Sequence, residues 1–189
     1  MEKHETIPEK IGEGTYGCVH KPNLKCKYQN KTLKNKVSKI METAEAHAEL
    51  DEYEIIEKID KKANYFLGKP TLCTPANNET NMRAVRECDL YEKCKKKCLK
   101  NYSLLIMKDG GKELSEFSKK TIQELRNNEE SANFIKKWFI ELKKLFRGII
   151  LFEENGYSHH DLKPQNIVYN IKTNSVKFID FGIKYLSVK

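Results

Sequence analysis

No part of this 189-residue chain offers the ~20 consecutive apolar residues that a membrane-spanning helix needs. The apolar stretch 142–152, though free of acids, still carries Lys143, Lys144 and Arg147, so no membrane partner is expected. The start, Met1-Glu2-Lys3-His4-Glu5, lacks both a basic segment followed by an apolar one and a myristoylation pattern, so the reading is of a cytoplasmic chain with mostly reduced cysteines. Internal repeats and low-complexity linkers are missing too. What is there is 39% hydrophobic and 33% charged, with periodic apolar segments, which excludes wholesale disorder and a fibrous chain. The length suits one domain or two small lobes. Lysine and arginine outnumber aspartate and glutamate 35 to 27, giving +8, a balance that favours polyanionic ligands without naming one. Much of that excess lies at 93–100 (Lys-Cys-Lys-Lys-Lys-Cys-Leu-Lys), which reads as a solvated face rather than a nucleic-acid patch, and nucleic acid is not expected as a partner.

Along the chain, 7–40 reads as three short strands around a glycine-rich turn, and 43–59 changes to helical period with Ala48, Ile55, Ile56 and Ile59 on one face. Glu52 falls on that face. The stretch 61–101, with Gly68, Pro70, Pro75 and four cysteines, reads as an irregular insertion with one strand at most. A buried strand is expected at 102–107, ahead of Asp109-Gly110-Gly111. Helices follow at 113–126 and 132–154, the second carrying Ile135, Trp138, Phe139, Leu142, Leu145, Phe146, Ile149 and Ile150 at spacings of three and four, which predicts a central buried helix. A hairpin is expected from 167–171 and 176–179.

Four features carry chemistry. Gly12-Glu13-Gly14-Thr15-Tyr16-Gly17-Cys18-Val19 matches G-x-G-x-x-G-x-V, in which absent side chains let backbone amides approach phosphate oxygens; because a strand rather than a helix follows, a dinucleotide site is not indicated. Lys39 lies 22 residues after Gly17 in an alternating strand, placed to reach phosphates. An acid on the apolar face of the next helix needs a cation to neutralise it, and Glu52 is preferred to Glu49 as the partner of Lys39 because it precedes Ile55, Ile56 and Ile59 by three, four and seven residues. The fourth feature is His159-His160-Asp161-Leu162-Lys163-Pro164-Gln165-Asn166, with Asp180-Phe181-Gly182 beginning 14 residues after Asn166.

With these motifs in this order, the chain resembles the eukaryotic-type protein kinases. The resemblance implies an α+β, two-lobed protein-kinase-like fold, with a β-rich N-lobe at 1–107 that contains the insertion 61–101. The hinge and a shortened helical C-lobe would occupy 108–189. It implies ATP and Mg²⁺ as cofactors, with Asp161 as catalytic base, Lys163 steadying the transferred phosphoryl group, and Asn166 and Asp180 as metal ligands. Gly12, Gly14, Gly17 and Val19 would cover the nucleotide, Lys39 with Glu52 would form the ion pair, and Met107, Lys108 and Gly110 would line the adenine hinge. His159 would be a core histidine bonded to backbone. A lysine two residues after the base goes with serine or threonine as acceptor, so the implied activity is a serine/threonine protein kinase acting on a protein substrate.

Departures from the pattern keep other readings open. His160 stands where the family has arginine, and the chain stops at Lys189, seven residues past Gly182, without the segment that ordinarily holds peptide substrate. A pseudokinase or nucleotide-binding interaction module, and a kinase-like small-molecule phosphotransferase, are the alternatives. The compact build resembles kinases encoded by large DNA viruses, which implies host cytoplasm or virion. The stripe on 132–154 is wide enough to expect cover from a second copy, a partner chain or 61–101. Cys73, Cys88, Cys94 and Cys98 supply four thiols, but without a C-x2-C knuckle zinc is only weakly indicated and separate thiols are the plainer expectation.

Overall fold

The computed structural model describes residues 7–28, 33, 35–94, 98–124 and 129–181, and their side chains except at 92–94, 98, 120–124 and 129–130. The side chains of Cys94 and Cys98, the middle of the basic run 93–100, and Gly182 therefore lie outside the described residues. The described residues fall into two compact units: Met1–Tyr53 with Gly68–Asp109, and Glu54–Leu67 with Gly110–Lys189. Part of the expected insertion, 61–67, thus belongs with the second unit. Among the described residues no helix is long and apolar enough to cross a membrane.

The first unit is built on β1 (Glu9–Gly14), β2 (Gly17–Lys21) and β3 (Lys36–Glu42), followed by the helix α1 (Thr43–Ile59), which ends in the second unit. Then come β4 (Thr71–Cys73), the short helices α2 (Glu79–Val85) and α3 (Asp89–Cys94), and β5 (Tyr102–Lys108). The strands form one antiparallel sheet in the order β1-β2-β3-β5-β4. Central β3 is buried from Val37 to Met41 without alternation, the pattern of a strand covered on both faces. One face gathers Met41, Leu105 and Leu72 with Ala46 and Leu50 of α1. The other gathers Cys18, Ile40, Leu104 and Ile106 with Ala84, Val85 and Cys88 from the region of α2.

That second layer corrects the expectation of an irregular insertion. Asn78 caps α2 by accepting from the Asn81 backbone N–H at 2.8 Å. Buried Asn81 in turn donates to the carbonyls of Lys25 and Ala76 at 2.9 Å. Two disulfides, Cys18–Cys88 and Cys26–Cys73, tie the same stretch to the first strands. They correct the expectation of reduced, separate thiols, and they remove Cys73 and Cys88 from the suggested zinc set. A helix of six or seven residues shows too few turns for its period to stand out from the sequence.

The second unit contains β6 (Lys112–Glu113), α4 (Leu114–Glu124), α5 (Glu129–Glu154), β7 (Ile167–Asn170) and β8 (Ser175–Phe178), with β7 between β6 and β8. Gly111, at φ +92°, makes the turn into β6 so close to Tyr169 that a Cβ there would overlap the Tyr169 carbonyl oxygen. Phe117 packs against Tyr169 with ring centroids 4.6 Å apart, and Phe152 against Phe178 at 6.3 Å. Phe66 forms an isolated bridge with Phe178. The expected central buried helix is buried on one side only: α5 buries Leu145 and Phe152 but leaves Phe139, Phe146 and Ile150 more than half exposed.

Candidate active site

In the first unit the site follows from sheet register. Gly14 pairs with Gly17 at the tip of the β1–β2 hairpin, and Val19 pairs with Lys39 across β2 and β3. Side chains alternate along a strand, so Val19 and Lys39 share a face while Cys18 and Ile40 point to the opposite core. Gly17 is required by packing: a Cβ there would sit 2.5 Å from the Ile40 carbonyl oxygen. Nothing lies within 4 Å of a Cβ on Gly14, and the turn around it is exposed. An exposed, side-chain-poor turn on the Lys39 side is suited to bring backbone N–H groups to phosphate.

Lys39 is 8% exposed, and its ammonium donates to Glu49 at 2.7 Å. The preference for Glu52 as its partner is therefore corrected by one turn. The buried stripe of α1 runs through Ala46, Tyr53 and Ile56, and Glu49 lies three residues after the first and four and seven before the others. Anchoring the helix on Ile55 and Ile59, which are only half-buried, misplaced the face; anchoring on Ala46 and Tyr53 would have found it. Glu52 is half-buried on the neighbouring face. Met107, opposite Val37, and Lys108, opposite Lys36, close β5, and after them the Asp109 N–H donates to the Asn35 carbonyl at 3.0 Å. Gly110 is buried in the second unit.

A cavity of about 570 Å³ flanks the glycine turn, but its walls carry Glu13, Glu42, Glu45 and Asp89, and Lys39 does not line it. Four carboxylates repel a polyphosphate, so this hollow is not the phosphate site.

The second unit assembles the other residues. Asp161 accepts on one carboxylate oxygen from Lys163 Nζ at 2.6 Å and from Asn166 Nδ2 at 2.9 Å, and Asn166 Nδ2 also donates to the Asp161 carbonyl at 2.9 Å. These bonds, Lys163 first, hold the Asp161 carboxyl below the usual aspartate range. It is therefore an ionised acceptor at neutral pH. Asn166 is buried, at the end of the short helical turn Pro164–Asn166, and its carbonyl accepts from the Ile179 N–H at 3.0 Å. That bond joins the loop to the strand leading into Asp180. His159 supplies a second tie, its Nε2 donating to the Ile179 carbonyl at 3.1 Å while its ring lies 4.8 Å from Phe181; burial lowers its pKa, favouring the neutral ring. Asp180 has φ 56°, a left-handed conformation uncommon for a non-glycine residue and concentrated at functional sites.

These residues fit a magnesium ion. Both Asn166 Nδ2 hydrogens are spent on Asp161, so its amide oxygen is the atom left to act as ligand. With the Asp180 carboxylate it offers the hard oxygen donors that Mg²⁺ prefers.

No family model matches the chain. Among curated proteins it is 32% identical over 111 residues to the EKC/KEOPS complex subunit bud32 of Dictyostelium discoideum, which is 57% of this chain and 44% of that protein. It is 55% identical over 40 residues to a probable serine/threonine-protein kinase of the same organism, 21% of this chain and 4% of that protein. The chain thus spans less than half the length of either relative. Together the two likenesses support a protein-kinase-like family for this chain.

Proposed function

We propose that the chain transfers the γ-phosphoryl group of ATP to a serine or threonine hydroxyl of a protein. The observation that carries this reading is the bonding of Asn166, which fixes Asp161 through both its backbone and its carboxylate and anchors the strand into Asp180. In it, Asp161 accepts the proton of the attacking hydroxyl, Lys163 lies beside the transferred group, and Asn166 and Asp180 hold Mg²⁺. Bound there, the ion would neutralise charge that builds on the phosphate oxygens. Gly12, Gly14 and Gly17 turn backbone amides to the phosphates, Val19 and the Met107–Gly110 segment contact the base, and Lys39, braced by Glu49, pairs with the phosphates. Positioning and electrostatics suffice because phosphoryl transfer needs little covalent chemistry from the protein.

Labelled-ATP transfer to a generic protein acceptor, compared with Asp161→Asn, tests the reading. General-base removal should lower the rate by about 10²–10⁴. Binding adds a separate check: Mg-ATP at a hundredfold over its Kd stabilises by about 2.7 kcal/mol, and Asp180→Ala should lose most of that shift. An equal shift in Asp180→Ala would refute the metal assignment. A shift without transfer in wild type would favour the nucleotide-binding interaction module, and transfer only to small alcohols the small-molecule phosphotransferase.

A second reading concerns partners. The bud32 relative is by its name a complex subunit, and α5 here leaves Phe139, Phe146 and Ile150 exposed, an apolar stripe suited to another chain. In this reading the chain acts as one subunit of an assembly, and light scattering at micromolar concentration, alone and with candidate partners, tests it.

A further inference from the structure

We propose that Cys18, His20 and Cys88 form a redox-gated site for a thiophilic divalent cation of the zinc type, closed while the two sulfurs are joined and open to metal once they are reduced. The inference stands apart from the phosphotransfer reading. Cys18 and His20 are two residues apart on β2 and so face the same core. Cys88 is brought to them by the turn after α2, where its N–H donates to the Val85 carbonyl at 3.0 Å. All three are buried, and one candidate ligand atom from each lies within 4.8 Å of the other two.

The geometry points to a tetrahedral ion. Cys88 Sγ lies 3.6 Å from His20 Nε2. Bonds of about 2.3 Å to sulfur and 2.0–2.1 Å to nitrogen at a tetrahedral angle put those atoms about 3.5 Å apart. The Cα atoms of the cysteine pair are 6.0 Å apart, so each thiolate reaches a shared ion by side-chain rotation. His20 has little to give up: Nε2 donates to the Ala84 carbonyl at a long 3.2 Å, and buried Nδ1 has no partner among the described residues. Two thiolates cancel the charge of a divalent ion, so the occupied site is neutral, as burial demands. The cluster holds no carboxylate, so it selects against Mg²⁺ and in favour of borderline and soft ions.

The chemistry is a two-electron exchange followed by binding. A dithiol or phosphine reductant transfers two electrons to the Cys18–Cys88 bond, the sulfurs take up two protons as the reductant is oxidised, and the ion then displaces those two protons. The fourth position is left to water. The site also has a mechanical neighbour, because Cys18 follows Gly17 directly and the turn it joins is bonded to β1: the Asp89 N–H donates to Glu13 at 2.7 Å, and Lys10 donates to the Glu87 carbonyl at 2.6 Å. Metal or disulfide therefore clamps the same point beside the glycine turn.

Cobalt(II) is the probe, added to the metal-free full chain before and after reduction by a trialkylphosphine. The reduced chain should bind one equivalent, with sulfur-to-cobalt charge-transfer absorption in the near ultraviolet and the intense visible bands of a tetrahedral site, while the oxidised chain should show neither. His20→Gln should weaken binding at least about tenfold, and Cys26→Ser with Cys73→Ser should leave it unchanged. Alkylation followed by peptide mass mapping of wild type should find Cys18 and Cys88 shielded by cobalt, a readout that needs no variant to fold. The proposal is overturned by absence of the charge-transfer band, by equal binding in the oxidised chain or in His20→Gln, or by shielding of other cysteines.

Discussion

Removing the Glu49 carboxylate takes away the group 2.7 Å from the Lys39 ammonium, in a pair whose side chains are only 10% and 14% exposed. Breaking a fully buried pair from one side costs about 3–5 kcal/mol, because the remaining charge stays desolvated. The slight exposure of this pair puts Glu49→Leu near the low end, about 3 kcal/mol. Glu49→Gln keeps an acceptor oxygen and the volume, so its loss should be about 1–2 kcal/mol. At about 2–4 °C per kcal/mol for a chain of this size, Glu49→Leu should lower Tm by about 6–12 °C. Replacing both partners, Lys39→Met with Glu49→Leu, swaps a charged pair for apolar packing and should recover most of that, a coupling of at least about 1.5 kcal/mol. Glu52→Leu should cost less than half as much as Glu49→Leu. Thermal and urea unfolding followed by circular dichroism measure these variants together with Lys39→Met alone, which the coupling requires. Coupling below about 0.5 kcal/mol, or a Glu52→Leu loss equal to that of Glu49→Leu, would refute the assignment of the helix face.

The remaining predictions concern the turn, the disulfides, the loop and the exposed helix. Gly17→Ala should destabilise by about 1–3 kcal/mol through overpacking on the Ile40 carbonyl, whereas Gly14→Ala, with open space around it, should stay within about 0.5 kcal/mol; equal effects on Tm would contradict the packing described. Reduction without metal should cost about 2–4 kcal/mol for each of the loops closed over 70 and 47 residues, read as the difference between melts with and without reductant. Asn166→Ala removes the two side-chain hydrogen bonds to Asp161 and keeps the backbone bond to Ile179, so transfer activity should fall while stability drops by only about 1–3 kcal/mol; a variant as active as wild type would sink that role. Phe146→Asp should leave stability within about 0.5 kcal/mol of wild type, since the residue is 67% exposed, and should abolish any self-association seen by light scattering.

Much of the architecture was legible because long elements repeat their signal. The helix over 43–59 coincides with α1, and the expected end of the helix at 154 is the end of α5. The strand at 102–107 is β5 but for its last residue, and the hairpin in the second half is β7 and β8. Chemistry concentrated in one short stretch was legible for a different reason: Asp161, Lys163 and Asn166 lie within six residues, and local geometry brings their side chains together. The two-residue strand β6 and the helices α2 and α3 left no comparable trace, being shorter than the periods that would reveal them.

Order and spacing alone determined that this chain carries a glycine turn, a strand lysine, a helix acid and a polar loop before Asp180, since each is a local pattern of residue types. Which acid meets Lys39 was decided by tertiary structure, because it depends on which face of α1 packs against the sheet: Ala46 and Leu50 take that face, and Glu49 beside them reaches Lys39. The cysteines show the same division. Six cysteines allow fifteen complete pairings, and their positions in the sequence carry no preference among them. Only the turn after α2, by bringing Cys88 beneath β2, selects Cys18 as its partner and places His20 beside both.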